Sequence, residues 1–165
     1  MNAKVILLCL MAVVATNAYS SGAPDDACFD MVPQHGVNPQ STVAPYRVFL
    51  SQSQIRSGGK IDITIQGVKR SDTIKGFMIQ ARVGESPVGR WLVDKNHAFG
   101  QTLDCGRGSG NAITHKRING DGVDSLTFTW QAPAQLSEKV YFRATIALNG
   151  GVFWVGVVSD YLSVF

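Results

Sequence analysis

The stretch Lys139-Val140-Tyr141-Phe142-Arg143-Ala144-Thr145-Ile146-Ala147-Leu148 runs through Asn149-Gly150-Gly151 into Val152-Phe153-Trp154-Val155-Gly156-Val157-Val158, and its reading decides the fold class. Val140, Phe142, Ala144, Ile146 and Leu148 fall on every second position. That spacing lines one face of a β-strand, whereas a helix would need a period of about 3.6. Asn-Gly-Gly supplies residues that tolerate the backbone of a tight turn, so 139–148 and 152–158 are predicted to form a hairpin. Working outward, the same alternation appears in Ile61, Ile63 and Ile65, in Phe77, Ile79, Ala81 and Val83, and in Leu126, Phe128 and Trp130. Turn-forming clusters stop these runs at Ser57-Gly58-Gly59, Gly84 to Pro87, Gly106 to Gly110 and Asn119 to Gly122. Helical periodicity is nowhere sustained. The chain is therefore predicted to be all-β, an antiparallel β-sandwich of about seven to nine short strands, each with one face buried. The polar, Pro-containing stretch from Tyr19 to Val43 reads as an extended lead-in pinned at Cys28, and Val152 to Phe165 as a terminal strand that begins as the second arm of the hairpin.

Composition bounds the rest. The chain has 165 residues, 45% hydrophobic and 16% charged, which suits one core and excludes intrinsic disorder. Residues 1–18 read as a secretory signal peptide: Lys4 precedes the apolar run Val5 to Ala15, and Thr16-Asn17-Ala18 places small residues at a cleavage site. The run is too short to span a bilayer, which takes about 20 residues. Residues 19–165 are then expected to be a single secreted domain. The net charge of +3 falls to about +2 without Lys4, too weak for nucleic-acid binding through a general basic field or for disruption of membranes by a cationic helix.

With Cys9 in the leader, Cys28 and Cys105 remain for an oxidising compartment and are read as one disulfide. The rival reading joins them to His35 and His115 in a zinc site, but Cys-x6-His and Cys-x9-His miss the usual ligand spacings.

Catalytic signatures are missing. Gly106-Arg107-Gly108-Ser109-Gly110 has the wrong order for a hydrolase elbow and matches no nucleotide-binding fingerprint. His35, His97 and His115 stand apart from paired acids, so no catalytic residue is assigned. Asn119, Asp121 and Asp124 lack the ligand series of a calcium loop. No metal or cofactor is expected. The candidate ligand-binding residues are Lys69 and Arg70 at a turn, Arg90 and Trp91 beside a turn, and Lys116 and Arg117 after His115. Cations next to an aromatic face can hold the phosphates and sugars of a glycolipid. The plainer reading makes these solvated loop charges, with Trp91, Trp130 and Trp154 in the core.

An ordered series of short motifs runs through the chain: Gly22-Ala23-Pro24, Ala27-Cys28, Met31-x-Pro33-x-His35-Gly36, Pro39-Gln40, Pro45-Tyr46, Gly76-Phe77, Gln80-Ala81-Arg82, Gly89, Cys105, Thr114-His115, Phe128-x-Trp130-x-Ala132-Pro133, Phe142-x-Ala144-Thr145 and Phe153-Trp154. In this series the sequence resembles the reeler (reelin N-terminal-like) domain family, and within it the small secreted insect defense proteins. The resemblance implies an immunoglobulin-like sandwich with a Cys28–Cys105 bridge. It also implies a non-enzymatic role in humoral innate immunity: binding microbial surface glycolipids or polysaccharides and blood cells, promoting nodule formation, or inhibiting microbes. Reeler domains occur in matrix proteins too, which gives the alternative of an extracellular adhesion module with a host protein as partner. They also occur in ferric-chelate reductases, joined to haem-binding domains; with nothing following residue 165, redox activity is not expected.

Overall fold

A computed structural model describes residues 21–165; the predicted leader, residues 1–18, and the expected cleavage point lie outside the described residues. A 3-10 turn at Asp25–Cys28 opens an irregular segment, after which come β1 (Tyr46–Leu50), β2 (Gln54–Ile55), β3 (Lys60–Gly67), β4 (Gly76–Val83), β5 (Ser86–Pro87), β6 (Arg90–Leu92), β7 (Gly100–Leu103), β8 (Ala112–His115), β9 (Ser125–Gln131), β10 (Lys139–Asn149), β11 (Val152–Val158) and β12 (Leu162–Val164). These strands make two sheets. One has the order β1-β3-β9-β6; the other runs β2-β12-β10-β4-β8-β7, with β11 also against β10 and β5 against β4. All pairings are antiparallel except β12 with β2.

The protein is thus an immunoglobulin-like antiparallel sandwich, as predicted, and the hairpin joining 139–148 to 152–158 is present. Two details differ. Among the described residues twelve strands replace seven to nine, because two-residue pieces such as Gln54–Ile55 and Ser86–Pro87 are too short to carry an alternation. The end of the chain is two strands, not one continuous arm: the Phe142 amide donates to Ser159 Oγ at 2.9 Å, and the backbone leaves β10 there before returning as β12.

The core lies between the inner faces. Ile61, Ile63 and Ile65 of β3 and Leu126, Phe128 and Trp130 of β9 meet Phe77 and Ile79 of β4 and Phe142 and Ile146 of β10. Burying each such side chain contributes about 1.5–3 kcal/mol. Trp130 and Phe142 meet edge to face with ring centroids 5.4 Å apart, and Phe77 lies 5.2 Å from Phe128. The Trp130 indole donates to the Val88 carbonyl at 3.1 Å, and Gly89, at φ +69°, makes the turn beside it. A Cβ at Gly89 would collide with the indole, so glycine is required there. Tyr46 joins the two sheets through an edge contact with Trp154, and its hydroxyl donates to the Thr73 carbonyl at 2.8 Å. Burial, helped by the charge of Asp72, pushes the Tyr46 phenol up from 10.0 to about 12.

One expectation fails in an informative place. The alternating pattern of β4 predicts one solvated face, yet Gly76 through Arg82 are all buried. Phe77, Ile79 and Ala81 face the sandwich core, while Met78 belongs to a second cluster with Ala27, Met31, Cys105 and Ala112. The outer face of this sheet is covered by the segment from Gly22 to His35, called the strap below.

A candidate site beneath the N-terminal strap

The strap is fixed to the outer face along its length. Cys28 is bonded to Cys105, with Cα atoms 5.4 Å apart, which settles the cysteine pairing and overturns the zinc reading. Among the described residues no group of three or more His, Cys, Asp or Glu side chains could hold a metal. Towards one end the Ala23 amide donates to Thr114 Oγ1 at 2.8 Å; in the middle Thr145 Oγ1 donates to the Met31 carbonyl at 2.6 Å. Met31 sits at φ +62°, a left-handed conformation that costs a non-glycine residue about 1 kcal/mol or more. Its buried side chain and the Thr145 bond hold it there.

Next to the disulfide the face is polar and densely hydrogen-bonded, with the buried Nε of Arg143 as an exception among the described residues. Gln80 Nε2 donates to the Cys28 carbonyl at 3.0 Å, and Arg82 donates through Nε and Nη2 to Gln80 Oε1 at 2.8 and 2.6 Å. Arg82 also donates to the Phe29 carbonyl at 3.0 Å and forms an ion pair with Glu85 at 3.0 Å. Burial, reinforced by the nearby Arg143 charge, presses the Arg82 guanidinium below its ordinary value; Tyr141 and Glu85 oppose the shift.

Beside this polar cluster the face is not filled, and both ends of the strap, Gly22 to Pro24 and Met31 to His35, border the gap. A partly open cavity of about 240 Å³ lies between Met31, Pro33 and His35 of the strap, Phe77 and Met78 of β4, and Thr145 and Ala147 of β10. Lys75, Arg117, His115 and Asn149 also border it, and no carboxylate does. Lys75 is half-buried and Arg117 exposed, and neither side chain makes a hydrogen bond or ion pair among the described residues. His35 is held by an edge contact to Phe153, centroids 5.6 Å apart, and its buried Nδ1 has no hydrogen-bond partner. The arrangement is a hydrophobic recess with cations at its border. Such a recess is suited to apolar groups and to anions.

The residues predicted from sequence fall in different places. Lys69 and Arg70 are exposed in the β3–β4 turn, where the Lys69 amide donates to Asp72 Oδ2 at 2.7 Å. Lys116 and Arg117 follow β8 at that same end, opposite the end reached by Arg90. The Lys116 ammonium is engaged with the Lys95 and His97 carbonyls at 2.7 and 3.1 Å, leaving Arg117 as the member that borders the cavity. Arg90 donates to Gln131 Oε1 at 3.0 and 2.8 Å in a second, more open cleft of about 420 Å³. Trp91 corrects the prediction: it is 3% exposed and packs edge to face on Phe142, so it offers no surface to a ligand. Sequence reading missed Met31, Lys75 and Met78 as site residues. The one available signal was Met78, an apolar residue at an outward position of β4.

Residues 26–164 match the Reeler domain. The chain belongs to this family. Among curated relatives of this reeler chain, the "Putative defense protein Hdd11" of Hyphantria cunea is 44% identical over 150 residues, covering 90% of each chain. The "Defense protein l(2)34Fc" of Drosophila melanogaster is 39% identical over 164 residues, covering 98% of each. These names fit a defense role. The Reelin-N domain of F-spondin shares the fold, with a TM-score of 0.61 at 14% identity, over 78% of the reeler chain described here and 92% of that domain. No helix among the described residues is long and apolar enough to cross a membrane.

Proposed function

We propose that this reeler protein is a secreted, non-enzymatic defense protein that recognises microbial surface glycolipids or polysaccharides, and bridges them to blood cells. The observation that carries this reading is the similarity, across nine-tenths of both chains, to a relative named for defense. The cation-bordered cavity and the exposed basic turns support binding over catalysis. The leader predicted at residues 1–18 and the disulfide support an extracellular location.

The test is retention of the purified protein on intact bacteria, fungi and blood cells, at low and high salt, with a reduced control. Saturable retention on microbes that weakens with salt is expected, since exposed cations meeting phosphates are screened. Retention on host cells or matrix alone, with none on microbes, overturns the reading in favour of an adhesion module.

A further inference from the structure

We infer that the recess beneath the strap binds the end of a single acyl chain whose head group carries a phosphate, with Lys75 and Arg117 holding the phosphate; the microbial source of that ligand rests on the recognition role proposed above. Size sets the apolar part. About 240 Å³ exceeds the roughly 150 Å³ that accommodates benzene and falls short of the roughly 300 Å³ at which drug-sized pockets begin. One tail end fits; two full tails do not. The walls agree, since Met31, Phe77, Met78, Ile118 and Ala147 are apolar, and methionine pairs adapt to a flexible guest.

Charge sets the head. Lys75 enters β4 and Arg117 leaves β8 on neighbouring strands, so both cations stand at the same border of the recess. No acid lines the cavity to neutralise them, and both side chains lack partners among the described residues. An ammonium and a guanidinium on one side of an apolar recess complement a phosphate attached to a hydrocarbon, while a neutral sterol or a bare polysaccharide would leave one of the two features unused. The bonded Arg82 cluster marks the far limit, because its donors are already taken up by Gln80, Phe29 and Glu85.

The experiment uses the purified protein and dodecyl phosphate below its micelle concentration, followed by calorimetry, with dodecanol and inorganic phosphate as controls. One saturable site for dodecyl phosphate is expected. The double variant Lys75→Gln/Arg117→Gln should weaken it by about ten- to hundredfold, the worth of a charge-assisted contact, and leave dodecanol unchanged. Ala147→Leu, which fills the recess, should abolish both, with near-UV circular dichroism reporting that the fold is kept. Absence of binding by the unaltered protein, or equal binding by both variants, overturns the proposal. Displacement of the probe by an acylated bacterial glycolipid and not by its deacylated form supports the microbial source; displacement by a host lysophospholipid alone overturns that source. The two readings fail separately: equal retention of Ala147→Leu and the unaltered protein on bacteria sinks the cavity assignment alone, whereas dodecyl phosphate binding without microbial retention sinks the recognition role alone.

Discussion

The outer faces of the two sheets are built from similar residue types and meet opposite fates. On the four-stranded sheet the outward positions are Arg47, Asp62, Thr64, Gln66, Thr127 and Thr129, and they stay at the surface, joined by short bonds such as Thr64 Oγ1 to Thr127 Oγ1 at 2.7 Å and Thr129 Oγ1 to Asp62 at 2.6 Å. On the eight-stranded sheet the outward positions Met78, Gln80, Arg82, Thr114, Thr145 and Ala147 are buried, and Tyr141 and Arg143 beside them are half-buried. The difference is made by a distant piece of chain. A strap fixed by one disulfide and a handful of side-chain-to-backbone bonds turns a polar sheet face into a bonded interior at one end and a recess at the other. Polarity along a strand therefore does not determine exposure; what else the chain lays over it does.

The contrast can be broken most severely at the disulfide. A loop of 77 positions gives a chain-entropy stabilisation of ~4.5 kcal/mol, so the double variant Cys28→Ser/Cys105→Ser should lose about that much in denaturant unfolding and become sensitive to protease between residues 22 and 45. Unchanged stability and protease resistance would mean that packing alone holds the strap. Next comes Arg82→Ala, expected to cost about 3 kcal/mol, since it leaves Gln80 Oε1 unpaired in the interior and removes the bond to the Phe29 carbonyl. Its counterpart on the bare face, Arg47→Ala, should stay within about 0.5 kcal/mol, and equal losses at the two sites would erase the distinction.

Tyr46, which joins the sheets, gives a pH-dependent effect of roughly 2 to 3 kcal/mol. Its folded value of about 12 lies above the unfolded 10.0, so the folded state holds the phenolic proton more tightly. That stabilisation is complete below pH 10 and is lost as pH rises through 12. Tyr46→Phe should flatten this part of the stability profile, at a cost near 1 kcal/mol for the lost bond to Thr73, and an unaltered alkaline slope would refute the assignment. The smallest effect belongs to Thr64→Ala on the bare face, about 0.5 kcal/mol by thermal unfolding; a loss as large as that of Arg82→Ala would show this face to be structurally engaged.

How much was legible follows the same division. The inner faces were readable because Ile61, Ile63, Ile65, Phe142 and Ile146 repeat every second residue, and because Asn149-Gly150-Gly151 announces its turn. The Cys28–Cys105 pair was readable from number and from the oxidising compartment that the leader predicts. The strap was read only as an extended lead-in, because residues 22–37 have no period of their own; the contacts that seat them, such as Thr145 to Met31 and Gln80 to Cys28, link residues far apart in sequence. Trp91 fell out of the candidate site for a similar reason: a tryptophan beside a turn looks available until β6 pairs with β9 and carries it into the core. Arg117 was read, but Lys75 was not, since its place beside Arg117 at one border of the recess becomes visible only when β4 and β8 lie side by side.

The strand order also governs when folding can finish. β12 lies inside its sheet, paired with β10 on one side and in parallel with β2 on the other, and the Phe165 amide donates to the Ile55 carbonyl at 3.1 Å. Gln54 and Ile55 are made early on the ribosome but wait for Ser163 and Val164, which follow far later in the chain. The growing chain can close its hairpins one by one, yet this edge stays unpaired until residue 164 is free of the exit tunnel. Removal of residues 162–165 should leave a nascent-like, incompletely closed sheet prone to capture by chaperones.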